Sequence, residues 1–345
     1  MSELDFEYLP SRNTLVHQVE RPHGEPRREH FRFVRQPLAP LAPGEALVRN
    51  MHFSVDPYMR ECMDGDWALH APLEGRTIGR VLRSTDTALR PGDWVFHRQG
   101  WRTYAQVPVQ ALRVIRPAEG VPITAWLSIL GGTGLTAWVA LTRIVRLQPG
   151  ESVYVSAAAG GVGTAAGQFA KLLGAGRIVG STSNESKARQ LMHGLGYSDA
   201  FVYRPGQVAA QLRERVPEGI DVYLDNVGGE QLEAAIAVLK DHGRAALIGA
   251  VAQYSALQPP AAPRNLFDAV GKSLTLQGFL VKNYASLQQE LEAFAIPHLQ
   301  RRDLVAPETV TTGFDNIVDA FLAMLSGGNL GKAIVSVDSD DEGAS

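Results

Sequence analysis

The stretch from Ser152 to Leu173 constrains this chain more than any other. An apolar strand, Ser152–Ala158, breaks at Ala159-Gly160-Gly161-Val162-Gly163, and a helix of small residues runs from Val162 to Leu173. The spacing Ala158-x-Gly160-x-x-Gly163 is a dinucleotide fingerprint with Ala in place of the first Gly. It stands where such a fingerprint must stand, between a strand and a helix. Gly160 lets the backbone approach a pyrophosphate, whose charge is met by N–H groups at the helix start. Gly163 lets helix and strand pack closely. The plainer alternative is a tight strand-to-helix turn without a ligand; the flanking elements favour the dinucleotide.

From Pro149-Gly150 onward, strands and helices alternate. Arg177–Thr182, Ala200–Tyr203, Val222–Asp225, Arg244–Val251 and Ser273–Leu280 have strand character, and Glu185–His193, Val208–Arg215 and Gln231–Lys240 have helical spacing. This rhythm predicts an α/β fold with a doubly wound parallel sheet. The preceding part, to about Leu127, is β-rich. Short runs at Glu45–Val48, Thr77–Leu82, Asp93–Phe96 and Arg102–Val107 are separated by Pro and Gly. Short strands at Val305–Thr311 and Ala333–Val337 return around a helix at Phe314–Ser326. A length of 345 residues suits about two domains. The expected division is a catalytic domain at 1–127, completed by 304–345, and a dinucleotide domain at 128–303. The acidic tail 338–345 is expected to be disordered.

The tip of the second strand selects the cofactor. An NAD site places Asp or Glu about 20 residues past the glycines. Here the segment is Ser181-Thr182-Ser183-Asn184-Glu185-Ser186-Lys187. Hydroxyls at Thr182 and Ser183, with Lys187 one helical turn on, suit a 2′-phosphate and favour NADPH. Glu185 is first-turn helix charge. Read alone, Lys187 could instead be a solvated helix residue, the weaker of the two readings.

Bulk properties exclude other classes. A net charge of −3 with scattered basic residues argues against nucleic acid. Cys62, the one cysteine, can form neither an internal disulfide nor a cysteine zinc cluster. Met1 to Asn13 has no basic-then-apolar signal pattern, and no apolar run reaches the roughly 20 residues of a membrane helix. The cytoplasm is the default expectation, with no membrane partner.

Several motifs then occur in a familiar order: Ser54-Val55-Asp56-Pro57-Tyr58-Met59-Arg60, Gly134-Leu135-Thr136-Ala137, and Ala158 to Gly163 followed by Gly167-Gln168. Asp225-Asn226-Val227-Gly228-Gly229, Gln253-Tyr254, Gln277-Gly278-Phe279 and Asn329-x-Gly331-Lys332 complete the series. Over nearly its whole length the chain resembles the zinc-independent medium-chain dehydrogenase/reductase superfamily. The likeness is strongest to the branch of prostaglandin/leukotriene reductases, alkenal double-bond reductases and curcumin reductases. The resemblance implies a GroES-like β-barrel catalytic domain and a Rossmann domain, NADPH in the cleft between them, and a homodimer. It places Gly161, Val162, Gly163 and Thr164 at the pyrophosphate and Lys187 and Tyr203 at the 2′-phosphate, beside Ser183. Asn226 falls at the ribose. Ile248, Gly249, Ala250, Val251 and Tyr254, with Phe279, Leu280 and Val281, border the nicotinamide, and Asn329 reaches it from the returning domain. Read alone, Tyr203 would be only a strand-end aromatic.

Zinc-using relatives carry a Cys after the first strands and then Gly-His-Glu. Here Ser54-Val55-Asp56-Pro57 fills the first stretch, and Gly75 and Arg76 stand at the His and Glu positions. No zinc ligand set is therefore expected. His52 and His70 nearby are isolated.

Without a metal, the expected reaction is hydride transfer to the β-carbon of an α,β-unsaturated aldehyde or ketone, followed by enolate protonation. Hydrogen-bond donors at the carbonyl oxygen lower that barrier, and Tyr58 and Tyr254 are the candidates. Tyr58 could instead simply pack within its turn. Some eukaryotic members carry a Tyr six positions before the Gln of Gln-Gly-Phe; counting back from Gln277 gives Gly271 here. Trp67, Trp101 and Phe53 could line an apolar pocket or belong to the core. Two other functions stay open: an NADPH-dependent quinone oxidoreductase, and a nucleotide-binding regulatory protein without turnover.

Overall fold

The computed structural model describes residues 10–258 and 260–337. The acidic tail 338–345 lies outside the described residues, as does most of the N-terminal stretch examined for a signal. The chain divides into two compact units. One runs to Leu127 and takes in Thr309–Gly328 and the residues from Ala333; the other is Ser128–Glu308 with Asn329–Lys332. The chain thus returns to the first unit at Thr309 rather than at 304, and gives Asn329–Lys332 back to the second.

The first unit opens with an antiparallel hairpin of β1 (Arg12–Gln18) and β2 (Phe31–Pro37). Neither strand was expected, because Arg32 and Arg35 interrupt the apolar pattern of β2, whose outer positions are exposed. Next come β3 (Glu45–Ser54), β4 (Thr77–Ser84), β5 (Trp94–His97), β6 (Tyr104–Pro108) and β7 (Arg113–Val114). β3 continues well past Val48 despite polar residues. Asn50 is buried there, and its amide donates to the carbonyls of Gln99 at 3.0 Å and Arg102 at 2.8 Å. Both amide protons are met although the amide oxygen has no partner among the described residues, and the strand runs through this position.

In the second unit, β8 (Ser152–Val155), β9 (Arg177–Thr182), β10 (Asp199–Val202), β11 (Ile220–Asp225), β12 (Leu239–Leu247) and β13 (Thr275–Gly278) form one sheet. Its order is β10-β9-β8-β11-β12-β13, and every pairing is parallel. This is the Rossmann order, reversing direction between β8 and β11. Helices Gly161–Leu172, Glu185–Gly194, Val208–Arg215 and Gly229–Val238 join the strands. The helix Gln288–Arg301 was not expected; Pro297 inside it, ordinarily a breaker, hid it. β12 ends at Leu247 instead of reaching Val251. Ile248 leaves the sheet to bond the carbonyl of Asp225 at 2.8 Å, and Val251–Tyr254 is a helical turn.

β14 (Glu308–Thr312) and β15 (Lys332–Ser336) then extend the first unit's sheet, in the order β14-β15-β3-β4-β5-β7 with β6 on β3. This β-rich unit is the GroES-like part of the fold. Its core holds Phe53, Met59, Met63, Trp67, Trp101, Phe314 and Phe321. Trp101 stacks on Phe31 at 5.9 Å and meets Trp67 and Phe321 edge-on, each at 5.7 Å. Phe53 and Trp101 are fully buried and Trp67 nearly so. All three are core, not pocket lining.

Candidate functional site

The glycine turn sits at the carboxyl end of β8, beside the switch point. Gly160 is the N-cap of helix Gly161–Leu172, with extended backbone (φ −80°, ψ 175°) and no side-chain cap, and the first turn holds no acid. The N–H groups that a helix start always leaves unpaired are therefore available to an anion, in the field of the helix dipole. A Cβ on Gly163 would lie 2.4–2.6 Å from Ala158 backbone atoms. Only glycine lets the helix approach the strand that closely. Thr164 is buried in the same first turn. A dinucleotide pyrophosphate fits these residues.

At the tip of β9 no acid faces outward. Thr182 is buried, Ser183 is exposed, and Asn184 caps the next helix by accepting the Lys187 N–H at 3.0 Å. That cap, which sequence reasoning missed, sets Lys187 in the first turn, half-buried. Desolvation lowers its pKa from the ordinary lysine range. Tyr203 is 43 % exposed and its N–H bonds the Thr182 carbonyl at 3.1 Å, so the ends of β9 and β10 present Ser183, Lys187 and Tyr203 together. Glu185 is exposed at the helix start.

Across the switch point, Asn226 is held on two sides. Its N–H bonds the Ser156 hydroxyl at 3.0 Å and its amide donates to the Ser156 carbonyl at 2.7 Å. The following loop hangs from the same residues. Gly249 N–H bonds the Asp225 carbonyl, Val251 that of Asn226 and Ala252 that of Val227, at 3.1–3.2 Å. Ala250 N–H donates to the Tyr254 hydroxyl at 3.3 Å. Phe279 meets Tyr284 edge-on, Leu280 is exposed and Val281 partly buried. Asn329 is part-buried, with its amide on the Gly331 carbonyl at 2.7 Å. It belongs to the second unit, not to the returning part of the first as expected. Gly271 is exposed, with open space where a side chain would begin.

Beneath this edge lies a buried polar network that sequence reasoning overlooked. The Tyr223 hydroxyl donates to Asp225 at 2.7 Å and contacts the Ser156 hydroxyl at 3.0 Å, and Asp225 also accepts the N–H groups of Val227 and Gly228. Burial raises the Asp225 carboxyl above the usual range, and these donors, led by Gly228 N–H, pull it back. Tyr154, Ser181 and Gln231 form a neighbouring cluster. The available signal was polar residues at inward positions of two otherwise apolar strands, Tyr154 with Ser156 and Tyr223 with Asp225.

Tyr58 lies in the first unit, at the start of the short helix Met59–Cys62. Its hydroxyl is buried and finds no hydrogen-bond partner among the described residues, and the Arg76 guanidinium sits 5.2 Å from its ring centre. Burial, then the neighbouring Asp56, pushes the phenol's pKa up, so it stays protonated. Arg76 pairs with Asp56 at 3.5 Å, and Ser54 also donates to Asp56. Gly75 has no room for a side chain: its Cβ would lie 2.8 Å from the Trp101 ring and 3.1 Å from Met59. Among the described residues no group of three His, Cys, Asp or Glu side chains could hold a metal, and no helix is long and apolar enough to cross a membrane.

A family described as the N-terminal domain of oxidoreductase matches residues 15–115, and one described as zinc-binding dehydrogenase matches residues 161–300. The chain is 35 % identical to an NADP(+)-dependent 2-alkenal reductase of Nicotiana tabacum over 307 residues, covering 86 % of this chain and 89 % of the other. It is 31 % identical to the NADPH-dependent curcumin reductase of Escherichia coli (strain K12) over 335 residues, covering 94 % and 96 %. Among solved structures, CurA of Vibrio vulnificus in complex with NADPH superimposes with a TM-score of 0.88 at 28 % identity, covering 94 % of this chain and 99 % of that one.

Proposed function

Because the chain belongs to the zinc-independent medium-chain dehydrogenase/reductase superfamily, in the NADPH-dependent branch of alkenal, curcumin and prostaglandin reductases, we propose that it reduces the carbon–carbon double bond of α,β-unsaturated aldehydes and ketones. Gly160, Gly161, Val162, Gly163 and Thr164 would hold the pyrophosphate, and Ser183, Lys187 and Tyr203 the 2′-phosphate. Asn226, residues 248–251 and 279–281, and Asn329 would hold the nicotinamide half. When bound, reduced nicotinamide supplies the hydride that adds to the β-carbon. The chain's own part is to stabilise the charge that moves onto the carbonyl oxygen.

The observation that carries this reading is the Tyr58 hydroxyl, buried, protonated and without a protein partner among the described residues. Such a donor stabilises an enolate oxygen without giving up its proton to solvent. One well-placed donor contributes about 2.7–4 kcal/mol in comparable oxyanion sites. Tyr254, whose hydroxyl accepts from Ala250, would support protonation at the α-carbon, directly or through water.

NADPH oxidation against enals, enones, diarylheptanoids and quinones, with NADH as control, tests the proposal. Turnover of the enals and enones with formation of the saturated carbonyl product is expected. Turnover of quinones alone would replace this reading with the quinone oxidoreductase one.

A further inference from the structure

Gly167-Gln168 and Gly331-Lys332 lie far apart in the sequence. The second unit brings them into one chain of contacts that ends on the glycine turn. Gln168, buried on helix Gly161–Leu172, clamps the segment that follows the last helix of the unit. Its amide oxygen accepts Val305 N–H at 2.9 Å, and its NH2 reaches the Val305 carbonyl at 3.1 Å and the Thr164 carbonyl at 2.9 Å. Two residues on, the Pro307 carbonyl accepts the N–H of Lys332 at 2.9 Å. Gly331 N–H in turn donates to the Ala159 carbonyl at 2.8 Å, and Gly331 forms a parallel bridge with Gly160.

The fit at Gly331 leaves no slack. Its φ is +68°, a left-handed conformation, and a Cβ there would lie 1.9 Å from the Pro307 carbonyl oxygen. The Lys332 stem meanwhile covers Gly161, with Cδ 3.5 Å from where a Gly161 Cβ would lie. Asn329 is tied into the same strap through the Gly331 carbonyl. The backbone of Ala159–Gly161 is thus braced from outside the sheet, by a strap that is itself anchored on Gln168.

We propose that Gln168 and Gly331 are positioning residues for the cofactor: through the strap 305–307 and 329–332 they hold the glycine turn in the conformation that accepts the pyrophosphate. This rests on the assignment of that turn to the pyrophosphate. Neither residue touches the ligand. Losing the Gln168 clamp lets Val305–Pro307 shift, and with it Gly331 and the Ala159 carbonyl. Lys187, in the first turn of the helix after β9, and Tyr203, just past the end of β10, keep their geometry.

The test compares NADPH with adenosine 2′-monophosphate, which carries the 2′-phosphate but no pyrophosphate. Dissociation constants are measured by fluorescence titration or calorimetry on the wild type, Gln168→Leu and Gly331→Ala. The expected result is a rise of tenfold or more in the Kd for NADPH in both variants, with the Kd for adenosine 2′-monophosphate within twofold of wild type. Retained nucleotide affinity also shows that a variant is folded. If Gln168→Leu does not fold, Gln168→Glu, which keeps the acceptor for Val305 N–H and loses both donated bonds, should give the same split at smaller size. Equal weakening for both ligands, or an unchanged Kd for NADPH, would overturn the proposal. A wild type that binds the monophosphate but not NADPH would instead defeat the assignment of the glycine turn itself.

Discussion

The two units treat buried tyrosine hydroxyls in opposite ways. Under the Rossmann sheet, Tyr223 gives its proton to Asp225 and stands against Ser156, inside a network where each hydroxyl has a partner. In the β-rich unit, Tyr58 has an equally hidden hydroxyl with none among the described residues. A buried polar group without a partner costs roughly 1–3 kcal/mol, whereas a satisfied one contributes about 1 kcal/mol. Under the proposed function, Tyr58 keeps its donor for the substrate, whereas Tyr223 commits its own to the scaffold.

The same substitution at both places breaks or sharpens the contrast. Tyr58→Phe should lower kcat about a hundredfold or more on an enone, leaving the KM for NADPH within twofold and Tm unchanged or slightly higher. A variant with wild-type kcat would reduce Tyr58 to packing. Lys187→Ala should come next, raising the KM for NADPH about tenfold and leaving the weak use of NADH nearly unchanged. Because burial lowers the pKa of Lys187, the KM for NADPH in the wild type should also climb at alkaline pH earlier than an ordinary lysine would dictate. Equal losses with both cofactors would show that Lys187 does not contact the 2′-phosphate.

Tyr223→Phe is the mirror of Tyr58→Phe. It should cost about 1–2 kcal/mol of stability, some 2–8 °C in Tm, with kcat within threefold. A hundredfold loss of kcat at unchanged Tm would show that the network takes part in turnover and that the contrast is misdrawn.

The last effect concerns acid. His97 is buried and His52 partly buried in the first unit, and desolvation holds their pKa values at about 3 and about 4. As pH falls below 6.5 the unfolded chain takes up these protons first. Stability is therefore full above pH 6.5 and declines down to about pH 3. Thermal melts between pH 7 and 4 should show that decline, and His97→Gln should flatten it by a few degrees; an unchanged slope would mean that the ring is hydrated in solution.

Legibility followed the range of the forces involved. Arg177–Thr182 and Val208–Arg215 match the structure at both ends, because local apolar periodicity decides them. The glycine turn was legible for the same reason: its conformation is written into consecutive residues. β1, β2 and the far half of β3 were not, since Arg32, Arg35 and Asn50 look like surface until distant backbone supplies their partners or exposes one face. The helix Gln288–Arg301 was masked by Pro297, whose cost is offset by the packing of Leu291, Ala295 and Leu299. At the site, residues 160–164, Ser183, Lys187, Tyr203, Asn226, and residues 248–254 and 279–281 follow the carboxyl ends of the second unit's strands. Asn329 falls in the second unit rather than the returning domain, beside Gly331, whose partner Ala159 is far away in sequence. The state of the Tyr58 hydroxyl is likewise a tertiary fact.

Gly75 bears on how easily this chain could be retrofitted with a metal. The two substitutions that look sufficient on paper, Gly75→His and Arg76→Glu, would drive an imidazole into the indole of Trp101 and leave Asp56 facing another carboxylate. Making room means shrinking Trp101, the ring on which Phe31, Trp67 and Phe321 all rest, at about 3–5 kcal/mol. The way back to a metalloenzyme is barred by an aromatic keystone rather than by missing ligands alone.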